Sequence, residues 1–77
     1  MTTPNAARLL DTFGVRLFGA EWAAPMARLT GLNERTLRRV RAAAQAGADY
    51  PAARGALAAL HEALGPILAD LEPYARP

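Results

Sequence analysis

Three residue types that would point to particular chemistries are missing from the chain: it has no cysteine, no serine and no lysine, and histidine occurs once, at position 61. Without cysteine there is no disulfide framework and no thiolate metal site, which fits a reducing cytoplasm. Without these nucleophiles, His61 is left as the one side chain that titrates as a base near neutral pH. We therefore expect no enzymatic activity, and no metal, cofactor or small-molecule ligand.

Long apolar runs are also missing. None approaches the ~18 residues of a membrane span, and the N-terminus lacks the basic segment followed by a hydrophobic one that marks an export signal. We expect a cytoplasmic protein with no membrane partner. With 77 residues the chain should form one domain, 1–77, which buries only about 60% of its unfolded surface. Association with a second copy would therefore help it.

The positive charge is all arginine, and it is unevenly spread. Between residues 28 and 41 five arginines stand against one glutamate, a local charge of +4. From residue 49 onward four acidic side chains outweigh two arginines, a local charge of −2. An alanine-, leucine- and arginine-rich composition also follows from a GC-rich genome, so the distribution of charge says more than its total. The chain is polarised, with its positive end at residues 28–41.

That basic stretch lies within residues 23–42, which predict two short helices joined by a tight turn. Gly31 fits the left-handed residue that ends the first helix, because it has no Cβ to clash. Asn33 fits the cap of the second helix, since its side chain can accept a free backbone N–H. We expect this second helix to span 34–46 and to stop at Gly47.

The second helix has two distinct faces when it is wound at about 100° per residue. Leu37, Val40 and Ala44 share one face, which is suited to packing. The opposite stripe carries Arg35, Arg38 and Arg39.

These residues resemble the helix-turn-helix of the Cro/repressor-type bacterial and phage regulators. The resemblance rests on the small Ala27, four residues before Gly31, and on apolar side chains at the spacing of two steeply crossing helices: Met26, Leu32, Leu37 and Val40. The run NERTLRRV, residues 33–40, is similar to the start of a recognition helix in such proteins. Thr30 departs from this pattern, at a position that is more often apolar, and Pro25 departs near the start of the first helix.

The resemblance implies an all-α fold, a compact bundle of four to five short helices that contains the helix-turn-helix. It also implies a transcriptional regulator that binds double-stranded DNA sequence-specifically at the nucleoid, with the helix 34–46 in the major groove. A homodimer reading a near-palindromic site is expected, and repression is the default because binding over a promoter excludes polymerase.

The predicted DNA-binding residues are Asn33, Arg35, Thr36, Arg38, Arg39 and Arg41. The three arginines of the outward stripe are expected at guanine edges or nearby phosphates. Asn33 and Thr36 are expected at phosphates as positioning residues, and Arg41, which is rotated to the flank, at the DNA backbone. Glu34 fits either a contact to cytosine or a surface ion pair with Arg38.

Two other functions stay open for the same helix. The arginine stripe could meet an acidic protein partner, so that the motif serves protein contact as an inhibitor or adaptor. The chain could also be a small helical module that only associates with itself. A dependence of DNA binding on salt would distinguish these alternatives from operator binding.

The first helix is expected to begin with Thr3 as cap and Pro4 in its first turn, and to end at Gly19-Ala20. Its core stripe is predicted to contain Ala6, Leu9, Leu10, Phe13 and Leu17. Gly14 lies inside this helix and needs a close neighbour to justify it. We interpret Trp22 as a hydrophobic lid where the first two helices meet, outside the binding site.

The C-terminal helical segment, 51–72, follows a turn at 47–51 in which Tyr50 is a core anchor. We expect a break at Gly65-Pro66, between helices 51–64 and 66–72, and a frayed end. His61 is expected to be solvated. One leucine-rich stripe crosses the break at a spacing close to 3.5, and it serves either as core or as a dimer interface: Leu57, Leu60, Leu64, Ile67, Leu68 and Leu71.

Overall fold

The computed structural model describes residues 5–76, which form four helices and no strand. The helices are α1 (Ala6–Phe18), α2 (Ala23–Thr30), α3 (Glu34–Gln45) and α4 (Ala52–Ala75). Each helix packs against all three others, so that one core lies between them. The predicted all-α bundle is confirmed.

Helix α1 starts one turn of chain later than predicted. Asn5 is its cap, because the Asn5 side-chain oxygen accepts the backbone N–H of Arg8 at 3.1 Å. Thr3 and Pro4, the predicted start, lie outside the described residues. The predicted end is confirmed at Gly19, whose positive φ of 91° accompanies a hydrogen bond from its N–H to the Val15 carbonyl.

Trp22 is a fully buried member of the core, and the prediction that it forms a lid is wrong. Its indole N–H donates to an Asp11 carboxylate oxygen at 2.8 Å, so the polar end of the ring is satisfied. The ring lies directly over Gly14, where an added Cβ would come within 2.4 Å of it. This close approach explains a glycine in the middle of α1.

The same contact corrects the predicted inner face of α1. Its buried residues are Ala6, Ala7, Leu10 and Gly14. Leu9, Phe13 and Leu17, which were predicted to be core, are 36%, 36% and 46% exposed. The helix turns its glycine toward Trp22, and this rotation moves the three larger side chains toward solvent.

The turn between α2 and α3 has the predicted chemistry. Gly31 has φ 75° and donates its N–H to the Ala27 carbonyl at 2.8 Å. Thr30 is accommodated because its hydroxyl donates to the Met26 carbonyl and accepts the N–H of Leu32. Pro25 is the third residue of α2, within the first turn, where no intrahelical N–H is lost.

Helix α4 is continuous through Gly65 and Pro66, so the predicted break is wrong. The carbonyl that loses its donor to Pro66 belongs to Glu62, and both residues are exposed, so water can replace the missing hydrogen bond. The predicted fraying from Glu72 is also wrong, since the helix runs to Ala75 and encloses a second proline, Pro73.

The leucine-rich stripe of α4 divides at Leu64. Up to that residue it packs on the core, with Leu60 buried and Leu57 and Leu64 partly buried. Beyond it Ile67, Leu68 and Leu71 are exposed. Tyr50 packs against the core and His61 is exposed, as predicted.

Candidate nucleic-acid interface

Helix α3 is placed by its buried face. Leu37 and Val40 are completely buried, and Ala44 packs against the core, as the helical spacing predicts. Ala46 caps the helix, and Gly47 follows it with φ 77°, so the end lies within one residue of the prediction. The outer face therefore has a fixed direction relative to the bundle.

The start of α3 combines a cap with free helix N–H groups. The Asn33 side-chain oxygen accepts the N–H of Thr36 at 3.2 Å, so the predicted cap is confirmed. This contact uses the Asn33 oxygen and leaves its amide nitrogen as the group that can reach a phosphate. Asn33 is exposed and Thr36 half-buried, both at the end of the helix where the dipole favours an anion.

The outer face of α3 presents Arg35, Arg38 and Arg39, all exposed. Arg38 forms an ion pair with Glu34 one turn earlier, and its side chain is still 64% exposed. Arg35 and Arg39 are in no ion pair with any residue between 5 and 76. Because they are four residues apart, these two guanidinium groups lie on the same side of the helix.

Arg41 has a structural contact that the sequence did not reveal. Its Nη1 donates to the Ala20 carbonyl at 3.1 Å and to the Glu21 carboxylate at 2.8 Å. The hydrogen bond and then the charge of Arg41 lower the pKa of Glu21, with a smaller effect from the charge of Arg38. Arg41 thus fastens the middle of α3 to the turn before α2, and its contact with the DNA backbone stays a prediction.

Asp49 fastens the other end of α3, and sequence reasoning also missed this role. Its Oδ1 accepts the N–H of Ala7 at 3.0 Å and that of Tyr50 at 2.8 Å. These backbone hydrogen bonds, that from Ala7 first, lower the pKa of Asp49. Neither Asp49 nor Arg41 carries a local signal of its contact, because the partners lie 42 and 20 or 21 residues away along the chain.

A groove of about 380 Å³ runs beside the start of α3. On the α3 side it is lined by Leu32, Asn33 and Thr36, and on the α4 side by Ala52 and Gly55 among others. The small side chains of α4 leave the first turn of α3 open on this side. The predicted positioning residues therefore lie on an accessible edge of the motif.

Comparisons with protein-family models, with curated proteins and with solved structures find no match for this chain. The resemblance to Cro/repressor-type regulators rests on the residues of the motif. Within residues 5–76, none of the helices combines the length and the hydropathy of a membrane span. The same residues contain no cluster of three or more side chains that could hold a metal ion.

Proposed function

We propose that this protein is a sequence-specific, double-stranded DNA-binding regulator that inserts α3 into the major groove. The observation that carries the proposal is the pair Arg35 and Arg39, exposed and outside any ion pair of the described residues, on a helix whose opposite face is fully buried. A helix of this kind fits the width of the major groove in B-form DNA.

The contacts rank by how free each side chain is. Arg35 and Arg39 reach base edges at no cost to the fold, and a bidentate contact to guanine is worth about 1–3 kcal/mol against a wrong base. Arg38 exchanges its ion pair with Glu34 for a phosphate or a base. Arg41 contributes least, because it is held by Glu21 and its side chain is 22% exposed.

Asn33 and Thr36 have a positioning role in this proposal. They lie at the N-terminus of α3, where the backbone N–H groups and the helix dipole favour a phosphate oxygen. Phosphate contacts fix the register of a protein on the duplex, while base contacts read its sequence.

A homodimer completes the proposal. Two copies present two α3 helices about 34 Å apart, one turn of the duplex, so that they read a near-palindromic site. A protein bound in this way over a promoter excludes polymerase, and we therefore propose repression.

Salt-dependent binding tests the electrostatic part of the proposal. Affinity for a mixed-sequence duplex is measured across a salt series for the wild type, for Arg35→Ala/Arg39→Ala, and for the control Arg8→Ala, which removes charge from the exposed first turn of α1. Each lost phosphate contact should reduce the slope of log K against log salt by about 0.9. The double variant should bind more weakly with a flatter slope, and the control should resemble the wild type.

The alternative is that the same arginines bind an acidic protein. It is favoured by the ion pairs that Arg38 and Arg41 already make with carboxylates of this chain. If the wild type shows no salt-dependent DNA binding, or if the double variant binds as the control does, DNA binding through α3 is contradicted and the protein partner becomes the better hypothesis.

A further inference from the structure

The distal half of α4 carries an exposed apolar ridge, formed by Ile67, Leu68, Leu71 and Tyr74. These side chains are 41%, 61%, 53% and 86% exposed. Every residue from 65 to 75 is exposed, so this part of the helix projects beyond the core. The ridge continues the leucine-rich stripe that packs on the core between Leu57 and Leu64.

An apolar groove lies beside the proximal half of the same helix. Its volume is about 270 Å³, and its apolar lining comes from Phe13 and Leu17 of α1 and from three leucines of α4. The leucines are Leu57, Leu60 and Leu64. Each copy of the chain therefore has a ridge at one end of α4 and a groove at the other.

The ridge needs a partner on physical grounds. An isolated helix shorter than about 12–15 residues is marginal in water. The segment 65–75 is shorter than that and contains Gly65, Pro66 and Pro73, which are poor helix formers. Contacts within one copy do not compensate for them, since the segment is exposed throughout.

We propose that a second copy of this chain covers the ridge, with the two α4 helices packed antiparallel about a two-fold axis near residues 65 and 66. In this register Ile67 lies opposite Leu64 of the second copy, Leu71 opposite its Leu60, and Tyr74 opposite its Leu57. Each ridge then fills the groove of the other copy, as a two-fold interface requires. A parallel pair would bring ridge against ridge and leave both grooves empty.

The area and the charges agree with this occupant. Together with Phe13 and Leu17, the ridge leaves on the order of 600 Å² of apolar surface in water, the upper end of what one patch on a monomer exposes. With the groove walls, this approaches the ~800 Å² that each partner contributes to a stable interface. Arg16 and His61 line the groove, while Glu72 lies on the corresponding flank of the ridge, so the antiparallel arrangement brings opposite charges together.

This inference deepens the proposed function, and it rests on that function for its biological use. The ridge and the groove belong to α1 and α4, so the interface leaves the arginines of α3 exposed. Association is measured without DNA, so the two proposals fail separately. A monomer that binds DNA would contradict the dimer alone, and a dimer that ignores DNA would contradict the proposed function alone.

Disulfide cross-linking tests the register directly, because the natural chain has no cysteine to interfere. Leu57→Cys and Tyr74→Cys are prepared as single variants and oxidised alone and mixed. We expect covalent dimers in the mixture and few in either variant alone, since like positions lie about 25 Å apart along the antiparallel pair. Cross-linking of Tyr74→Cys with itself would show a parallel pair, and no cross-linking in any sample would also overturn the proposal.

Sedimentation of matched variants tests the surface. Leu71→Asp places a charge on the ridge, and Ala69→Asp places the same charge on the exposed opposite side of the same helix. The wild type and Ala69→Asp should be dimers, and Leu71→Asp should dissociate at least 100-fold more readily. A wild type that stays monomeric at on the order of 100 μM, or equal association of both variants, would contradict the proposal.

Discussion

Helices α3 and α4 are both amphipathic, but the fold holds them in different ways. α3 is fastened on its flank by Arg41 and just beyond its end by Asp49, and its exposed side chains are mainly charged. α4 is held by its first half, and the exposed side chains of its second half are mainly apolar. The difference indicates two kinds of surface, one that presents charge from a fixed helix and one that needs an apolar cover.

Substitution of Gly14 should have the largest effect, because it disturbs the packing beneath both helices. A Cβ at Gly14 would overlap the Trp22 ring, which is fully buried and has its indole N–H bonded to Asp11. We expect Gly14→Ala to lower the free energy of unfolding by about 2–3 kcal/mol, as overpacked cores do. Denaturant unfolding measures this, and an unchanged midpoint would show that the ring is not confined there.

Two arginines of α3 should separate affinity from stability. Arg39→Ala removes an exposed side chain outside the ion pairs of residues 5–76, so DNA affinity should fall about tenfold or more while thermal stability is unchanged. Arg41→Ala breaks the contacts with Ala20 and Glu21 and should lower the melting temperature. Thermal unfolding and DNA titration of both variants check this, and an exchange of the two outcomes would reverse the assigned roles.

Gly65 offers a counterpart to Gly14 in the projecting half of α4. Gly65 is exposed, and an added Cβ has no neighbour within 4 Å. Gly65→Ala should therefore stabilise the protein by about 0.5–1 kcal/mol through the higher helix propensity of alanine. A loss of stability in the same unfolding assay would mean that the distal segment is not helical in solution.

Acid should weaken the fastening of α3 with a smaller effect. The pKa values of Asp49 and Glu21 are both lowered in the fold, so their contribution is present above the unfolded values of about 4 and is lost as pH falls through the lower folded values. The melting temperature should therefore fall below about pH 4. Asp49→Asn should reduce that dependence, and an equally steep fall in this variant would assign it to other carboxylates.

The local features of the motif were predictable from sequence. Gly31 and Asn33 act through backbone chemistry within a few residues, and the spacing of Leu37 and Val40 fixes one helix face. These signals determine the turn, the cap and the direction of the outer face whatever the rest of the chain does.

The errors came where distant residues override a local pattern. The face of α1 is set by Trp22 against Gly14, a contact that helical spacing alone does not predict. Pro66 was expected to break α4, but the missing hydrogen bond falls at exposed positions where its loss is tolerated. The partners of Arg41 and Asp49 depend on how the helices pack, so no local pattern could identify them.

Selection of bound duplexes from a random DNA pool tests the central claim most directly. We predict enrichment of a two-fold symmetric motif with half-sites one helical turn apart, and loss of that enrichment in Arg35→Ala/Arg39→Ala. If the wild type enriches no sequence, the arginines of α3 form a nonspecific basic face, and the proposed sequence-specific regulator is contradicted.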